Sequence, residues 1–136
     1  MSQENVEIVR EAVEVWNESG WHGVIEAGIV HAQVEYHDDP NWLGARSAHG
    51  IPAFLQRWDE IVETVGRDAH MEVEHISDAP ANHVVLISRY RSAGETSGVP
   101  VQDTFGYLFR IRGKQIDYLR VYLDPKDALE AAGLRE

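Results

Sequence analysis

A carboxyl group and a phenol group interrupt an otherwise apolar strand face between Val101 and Ile111. Alternate residues of a strand point to the same side of a sheet, so Asp103 and Tyr107 share their side with large apolar residues. Burying polar groups without partners costs free energy. The pattern therefore predicts a wet or ligand-filled cavity inside a curved sheet rather than a fully packed core.

A second carboxylate, Asp38, directly follows a predicted short strand that ends at His37, in the sequence HDDP. Asp38 shares its strand face with Tyr36, a placement that suits acid-base chemistry on a molecule in the cavity. Aspartate before proline is also ordinary turn chemistry, in which Asp38 only caps the loop. Asp103 has a similar alternative, because it lies near the start of its strand and can reach solvent or pair with Arg89 or Arg91.

Two arginines alternate with Tyr90 on one predicted strand, which places both guanidinium groups on one face. If that face is inward, the arginines need Asp38, Asp103 or an anionic ligand, because an unpaired buried charge costs several kcal/mol. If it is outward, they form a solvated edge. The alternation of residues does not decide between the two.

Several kinds of site are excluded by what the sequence contains. The chain has no cysteine, so disulfides, thiolate catalysis and cysteine-bound zinc are ruled out. His37 and Asp38 point to opposite faces of a predicted strand. His70, Glu72 and Glu74 form one polar, solvated strand face, so we expect no metal. No phosphate-binding loop or dinucleotide fingerprint is present, and we expect no cofactor.

The length and charge indicate one domain spanning residues 1–136. The net charge of −11 argues against nucleic-acid and membrane-surface partners. No apolar run is long enough to span a membrane, and the N-terminus is an acidic amphipathic helix rather than a signal peptide. We therefore expect a cytoplasmic protein.

Helical spacing of the apolar residues between Val6 and Trp16 predicts a helix with Ser2 as its N-cap and Gly20 as its stop, followed by a shorter helical piece. The segment from Ile51 to Val65 predicts a long amphipathic helix. The remaining predicted elements are strands at 33–37, 71–76 and 84–91, a long strand pair joined at Gly113-Lys114, and a terminal helix capped by Asp124.

This order of elements predicts an α+β fold with a strongly curved antiparallel sheet wrapped around helices. One face of the sheet covers the helices and the cavity. The other face carries apolar residues such as Leu86, Leu108 and Tyr118, and we expect it to form a homodimer.

Four separated segments resemble the SnoaL-like branch of the NTF2-like superfamily: VEIVREAVEVWN, VEYHDDP, AHGIPAFLQRW and RVYLDPKDALEAAGL. The resemblance covers essentially the whole chain. It implies a cone-shaped α+β barrel with a deep internal pocket, and commonly a dimer. The superfamily includes polyketide cyclases, ketosteroid isomerases, dehydratases, epoxide hydrolases and binding proteins, so function must be argued from the site.

The resemblance also allows known pocket chemistries to be tested. A ketosteroid isomerase-like site would have Ala12 in place of its helix tyrosine and Tyr36 in place of its base, with Asp38 as a displaced base and Tyr107 as a hydrogen-bond donor. An epoxide hydrolase-like site would keep its arginine as Arg89, facing inward, but would have Arg91 and Val121 in place of its carboxylates. Epoxide hydrolysis is therefore disfavoured, and polyketide cyclase-like chemistry stays open.

The candidate site thus contains Asp38, Tyr107 and Arg89 as catalytic residues. The predicted ligand pocket is lined by Trp16, Tyr36, Phe54, Trp58, Arg91, Asp103, Phe105, Leu119 and Val121. Packing is the default role of the helix aromatics among them. Two functions remain: acid-base isomerisation, cyclisation or dehydration of a small, largely apolar oxygenated molecule, or binding of such a ligand without catalysis.

Overall fold

A computed structural model describes residues 2–42, 44–65, 69–92 and 101–134. Its helices are α1 (Ser2–Glu26), α2 (Ile51–Val65) and α3 (Pro125–Ala131). Its strands are β1 (Val30–His37), β2 (Ser47–His49), β3 (His70–Ala79), β4 (His83–Ser92), β5 (Val101–Arg112) and β6 (Gln115–Tyr122). None of the described helices is long and apolar enough to cross a membrane.

The predicted helix boundaries follow from local chemistry. Gly20 has φ 72° and kinks α1, which separates the long first segment from the short piece predicted after it. Asp124 accepts a hydrogen bond from the Lys126 backbone N–H at 3.0 Å, and Pro125 occupies the first position of α3. The β5–β6 turn has positive φ at both Gly113 and Lys114, as a two-residue hairpin turn of type I′ requires.

The six strands form one mixed sheet in the order β2-β1-β6-β5-β4-β3. The prediction of an α+β fold is confirmed, but the sheet is not purely antiparallel, because β1 pairs with β6 in parallel. The short edge strand β2 was not predicted. The sheet does not close into a barrel, since the edge strands β2 and β3 lie at opposite ends of the order.

The two faces of the sheet are covered differently. The main core lies on the concave face, where α1 and α2 pack on buried residues that include Leu86 and Phe109. On the convex face, α3 packs through Ala128 against Val85 and Leu108. The prediction that Leu86 lies on the outer face is therefore wrong, whereas Leu108 does lie there and is covered by α3.

The convex face also carries charged side chains. Arg89 pairs with Glu74 at 2.9 Å and Arg91 with Glu72 at 3.6 Å. Farther along, the Arg110 guanidinium lies 5.3 Å from the centre of the Tyr118 ring. Homodimerisation through this face stays a prediction, and such a dimer would have to accommodate these charges as well as the apolar residues.

We expect Gly106→Ala to destabilise the protein by about 1–3 kcal/mol, the usual cost of overpacking. A Cβ atom at Gly106 would lie 2.6 Å from the Ala128 Cβ and 3.1 Å from the Pro125 Cα, so α3 would have to move. The midpoint of urea unfolding measures the loss. In a double-mutant cycle, Ala128→Gly should recover part of it, and additive losses in that cycle would contradict the proposed contact.

Candidate functional site

Asp38 is a buried carboxylate, and both of its oxygens accept hydrogen bonds. It follows β1 directly, and its side chain is 0% exposed. Oδ1 accepts a hydrogen bond from the Tyr36 hydroxyl at 2.6 Å. Oδ2 accepts from the Arg46 backbone N–H at 2.9 Å and from Arg57 through Nε at 3.0 Å and Nη2 at 2.6 Å. The carboxylate is thus held in an ion pair and does not face an open cavity.

Arg57 is positioned for this contact by α2, whose neighbouring residues Phe54 and Trp58 pack on the core. Its side chain is 12% exposed, and Nη1 also contacts Glu60 at 3.1 Å. Burial alone would lower the pKa of Arg57, but the hydrogen bonds and charge of Asp38, aided by Glu60, outweigh it and raise the pKa. The guanidinium is therefore always charged.

Tyr36 lies between this ion pair and the aromatic core. Its ring packs edge-on against Phe54 and Trp58, with centroids 5.9 and 5.6 Å away. Burial, followed by the hydrogen bond and charge of Asp38, raises the pKa of Tyr36 far above its ordinary value. Its hydroxyl therefore stays protonated, donates a hydrogen bond to Asp38 and does not act as a phenolate.

Tyr107 borders a small internal cavity on the concave face of the sheet. The cavity has a volume of about 10 Å³ and is lined by Ala12, Val13, Trp16, Trp21, Met71, Leu86, Tyr107 and Phe109. Burial raises the pKa of Tyr107 to about 12, although the nearby Ser88 hydroxyl acts in the opposite direction. Tyr107 is therefore a neutral donor. The cavity holds about one water molecule, so this cavity is not the ligand-sized pocket that the sequence predicted.

Two buried tryptophans, Trp16 and Trp21, line this cavity, and Trp58 packs against Trp21 with ring centroids 5.7 Å apart. We call these three residues the indole cluster. None of their Nε1–H groups has a hydrogen-bond partner among the described residues, and the same holds for the Ser88 Oγ. Buried donors are rarely left unpaired in folded proteins. Ser88 lies near Tyr107 without meeting hydrogen-bond geometry. The interior thus carries a set of donors that lack acceptors.

An outer groove of about 330 Å³ meets the indole cluster from the solvent side. It lies at the kink of α1 and is bordered by Gly20 and α2. His22 and Asp59 face each other there, with Nε2 and Oδ1 3.2 Å apart. Trp16 and Trp21 line both the groove and the inner cavity, so these two side chains form the wall between them.

The structure brings most of the predicted site residues to the concave side. Seven are buried in the main core: Trp16, Tyr36, Phe54, Trp58, Tyr107, Leu119 and Val121. Phe105 is half-buried and packs on Tyr90, with ring centroids 6.3 Å apart. Asp38 is buried at the end of β1, beside this group. Their roles toward a ligand remain predictions.

Three predicted site residues lie elsewhere. Arg89 and Arg91 point to the convex face and pair with Glu74 and Glu72 of β3, so the expectation that Arg89 faces inward is wrong. Asp103 is exposed and accepts a hydrogen bond from the Thr104 backbone N–H at 2.8 Å. None of the three approaches Asp38, whose cation is Arg57 instead.

The sequence analysis did not identify Arg57 or Ser88 as residues of the site, although the sequence contains an indication of each. Arg57 is the one basic residue in the α2 sequence, and a buried carboxylate on the neighbouring strand needs a cation. Ser88 has the same parity in β4 as the buried Leu86 and Tyr90, which places a hydroxyl on the apolar face. Among the described residues, no three His, Asp or Glu side chains are arranged to hold a metal ion.

The sequence matches no protein-family model and no curated protein, but its structure resembles solved ones over nearly the full length. Bal32a, from a soil-derived mobile gene cassette, is 15% identical with a TM-score of 0.75, and the match covers 96% of both chains. A candidate SnoaL-like polyketide cyclase from Jannaschia sp. CCS1 is 19% identical with a TM-score of 0.74, over 99% of this chain and 95% of the other.

A third solved structure is a protein with a ketosteroid isomerase-like fold from Catenulispora acidiphila, in complex with trimethylamine. It is 19% identical with a TM-score of 0.69, over 95% of this chain and 94% of the other. At these identities the matches establish architecture and not activity. The chain has the NTF2-like α+β fold that SnoaL-like and ketosteroid isomerase-like proteins share.

Proposed function

We propose that the protein binds a small, largely apolar molecule that carries a hydrogen-bond acceptor oxygen, beside the indole cluster. The observation that carries this proposal is the set of unpaired buried donors: three indole N–H groups and the Ser88 hydroxyl. An acceptor atom of a ligand would satisfy such donors and recover the free energy that their burial costs.

The chemistry of the lining favours a neutral ligand. Asp38 is already paired with Arg57, and Arg89 and Arg91 are paired on the convex face. None of these three side chains therefore needs a charged ligand in the interior. Indole N–H groups only donate, which suits a carbonyl or ether oxygen better than an ammonium. A ketone, ester or quinone of modest size fits these requirements.

Binding must enlarge the inner cavity. The cavity and the outer groove share Trp16 and Trp21, so an outward movement of these rings would join the two spaces. The Gly20 kink lies between the two tryptophans and allows the short segment of α1 to turn independently of the long one. The Catenulispora protein, which has the same fold, is in complex with a small molecule, trimethylamine.

A matched pair of probes tests the proposal. Cyclohexanone and methylenecyclohexane have nearly the same shape, but only the ketone carries an acceptor oxygen. We expect tryptophan fluorescence titration to show about fivefold tighter binding of the ketone, the value of one net hydrogen bond of about 1 kcal/mol. Ser88→Ala should reduce that preference, whereas Trp42→Phe, outside the indole cluster, should leave it unchanged. Equal affinity for both probes, or no binding of either, would contradict the proposal.

An acid-base enzyme is the second candidate, and the 2.6 Å contact between Tyr36 and Asp38 is the observation that favours it. In this version Asp38 serves as the base, Tyr36 holds the Asp38 carboxylate in place through its hydrogen bond, and Tyr107 donates a hydrogen bond to developing negative charge. Arg89 takes no part in this mechanism, because its side chain lies on the convex face. Asp38→Asn should then abolish turnover while keeping ligand affinity, and undiminished turnover would remove Asp38 from the mechanism.

A further inference from the structure

The β1–β2 edge carries a second polar constellation, on the sheet face opposite to the indole cluster. His37 Nδ1 lies 2.8 Å from the Ser47 hydroxyl, and His37 Nε2 lies 2.5 Å from Glu35 Oε2. The three side chains therefore form a chain of hydroxyl, imidazole and carboxylate. Asp38 and Tyr36 take no part in it.

The sheet holds the three groups in this order. His37 and Ser47 are directly paired residues of the antiparallel strands β1 and β2, and Glu35 precedes His37 by two residues on the same face. The His37 ring also packs on the Tyr118 ring, with centroids 5.6 Å apart. The imidazole side chain is 23% exposed and the Glu35 side chain 47% exposed, so the group is fixed in place yet reachable from solvent.

We propose that Ser47, His37 and Glu35 form a surface site for acyl transfer, with Ser47 as the nucleophile toward small activated esters. A hydroxyl in contact with an imidazole, which in turn contacts a carboxylate, is the arrangement that activates serine in unrelated hydrolases. Here the serine contacts Nδ1 and the acid contacts Nε2. Either ring nitrogen can serve as the base, because the tautomer is set by the partner of the other.

The edge position of β2 supplies a donor for the oxyanion. The Arg46 carbonyl accepts from the Asp38 N–H at 3.0 Å, and the Gly50 N–H donates to the Val34 carbonyl at 2.8 Å, so the even residues of this segment turn their backbone groups toward β1. The Ser47 N–H therefore points away from the sheet. The N–H of a nucleophilic serine is a common oxyanion donor.

The reaction balances with water as the second substrate. The Ser47 Oγ bonds to the acyl carbon of the ester as its proton passes to His37, and the departing alcohol takes that proton when its bond to carbon breaks. Water then attacks the acyl-serine and gives a proton to His37. The carboxylic acid leaves, and Ser47 regains its hydrogen. Glu35 acts through His37 and is a positioning residue.

Hydrolysis of p-nitrophenyl acetate tests the site. We expect Ser47→Ala and His37→Gln each to lower kcat/KM at least about tenfold, a modest effect beside the roughly 10²–10⁴-fold that a positioned acid or base typically contributes. Glu35→Gln should lower kcat with little change in KM, and Glu35→Asp should restore part of the loss. Rates that are equal in the wild type and in Ser47→Ala would overturn the proposal.

The chain offers a matched control. On β3, His75 Nε2 lies 3.1 Å from the Ser77 hydroxyl, and among the described residues no carboxylate contacts that imidazole. Ser77→Ala should therefore leave the rate unchanged. As a second measurement, a fluorophosphonate probe should label the wild type at Ser47, as located by peptide mass spectrometry. Labelling at Ser77 to the same extent, or no labelling at Ser47, would contradict the assignment.

Discussion

Replacing Arg57 by methionine is expected to lower the free energy of unfolding by about 3–5 kcal/mol, the usual cost of breaking a buried ion pair. Methionine keeps much of the apolar stem of the arginine but leaves the Asp38 carboxylate, 0% exposed, without its cation. Guanidinium chloride unfolding at neutral pH measures the change. The loss should appear in the midpoint with little change in slope.

Arg46→Met is the matched control for this variant. Arg46 pairs with Glu60 at 3.2 Å, but its side chain is 61% exposed, and exposed pairs contribute at most about 1 kcal/mol. Its backbone contact with Asp38 is not affected by the change. In the double variant Asp38→Asn with Arg57→Met, the charge is gone and part of the stability should return. The ion-pair account fails if Arg57→Met costs no more than Arg46→Met.

The stability of the protein is expected to fall as the pH rises from 10 toward 12, with Tyr107 as a main cause. The phenol has an ordinary pKa of 10.0 when unfolded and a pKa of about 12 in the folded protein. Below pH 10 both states keep the proton, and the contribution is complete. Above it, only the unfolded state releases the proton, so the contribution is lost as the pH passes through the folded pKa.

The expected loss from Tyr107 is roughly 3 kcal/mol, because one pKa unit corresponds to about 1.4 kcal/mol. Tyr36, whose pKa is also raised by burial, acts in the same direction, so the comparison must isolate Tyr107. The free energy of unfolding should be measured against pH for the wild type and for Tyr107→Phe. The wild-type curve should fall more steeply than the Tyr107→Phe curve as the pH rises from 10 toward 12, and parallel curves would show that Tyr107 does not titrate in this way.

The local elements were predictable because their signals are short-range. Gly20, the Asp124-Pro125 pair and the Gly113-Lys114 turn each fix backbone geometry by themselves, and the structure follows all three. The parallel pairing of β1 with β6 was not predictable in the same way. It joins residues about eighty positions apart, and no turn between the two strands specifies it.

The site was predicted less well than the fold, and β4 shows why. Its odd and even residues are both apolar, since Val84 and Leu86 face the main core while Val85 faces α3. Alternation therefore gave no sign of which side Arg89 takes. Arg57 was missed for a related reason, because its partner Asp38 is distant in sequence and the helix pattern described only the apolar stripe of α2.

The indole N–H resonances test the central claim most directly. The protein has four tryptophans, of which Trp16, Trp21 and Trp58 form the indole cluster and Trp42 lies outside it. Titration with cyclohexanone, followed in ¹H–¹⁵N spectra, should shift the three cluster signals in a saturable way and leave Trp42 in place. Cluster signals that stay fixed at ketone concentrations in the millimolar range, or equal drift of all four signals, would contradict binding at this site.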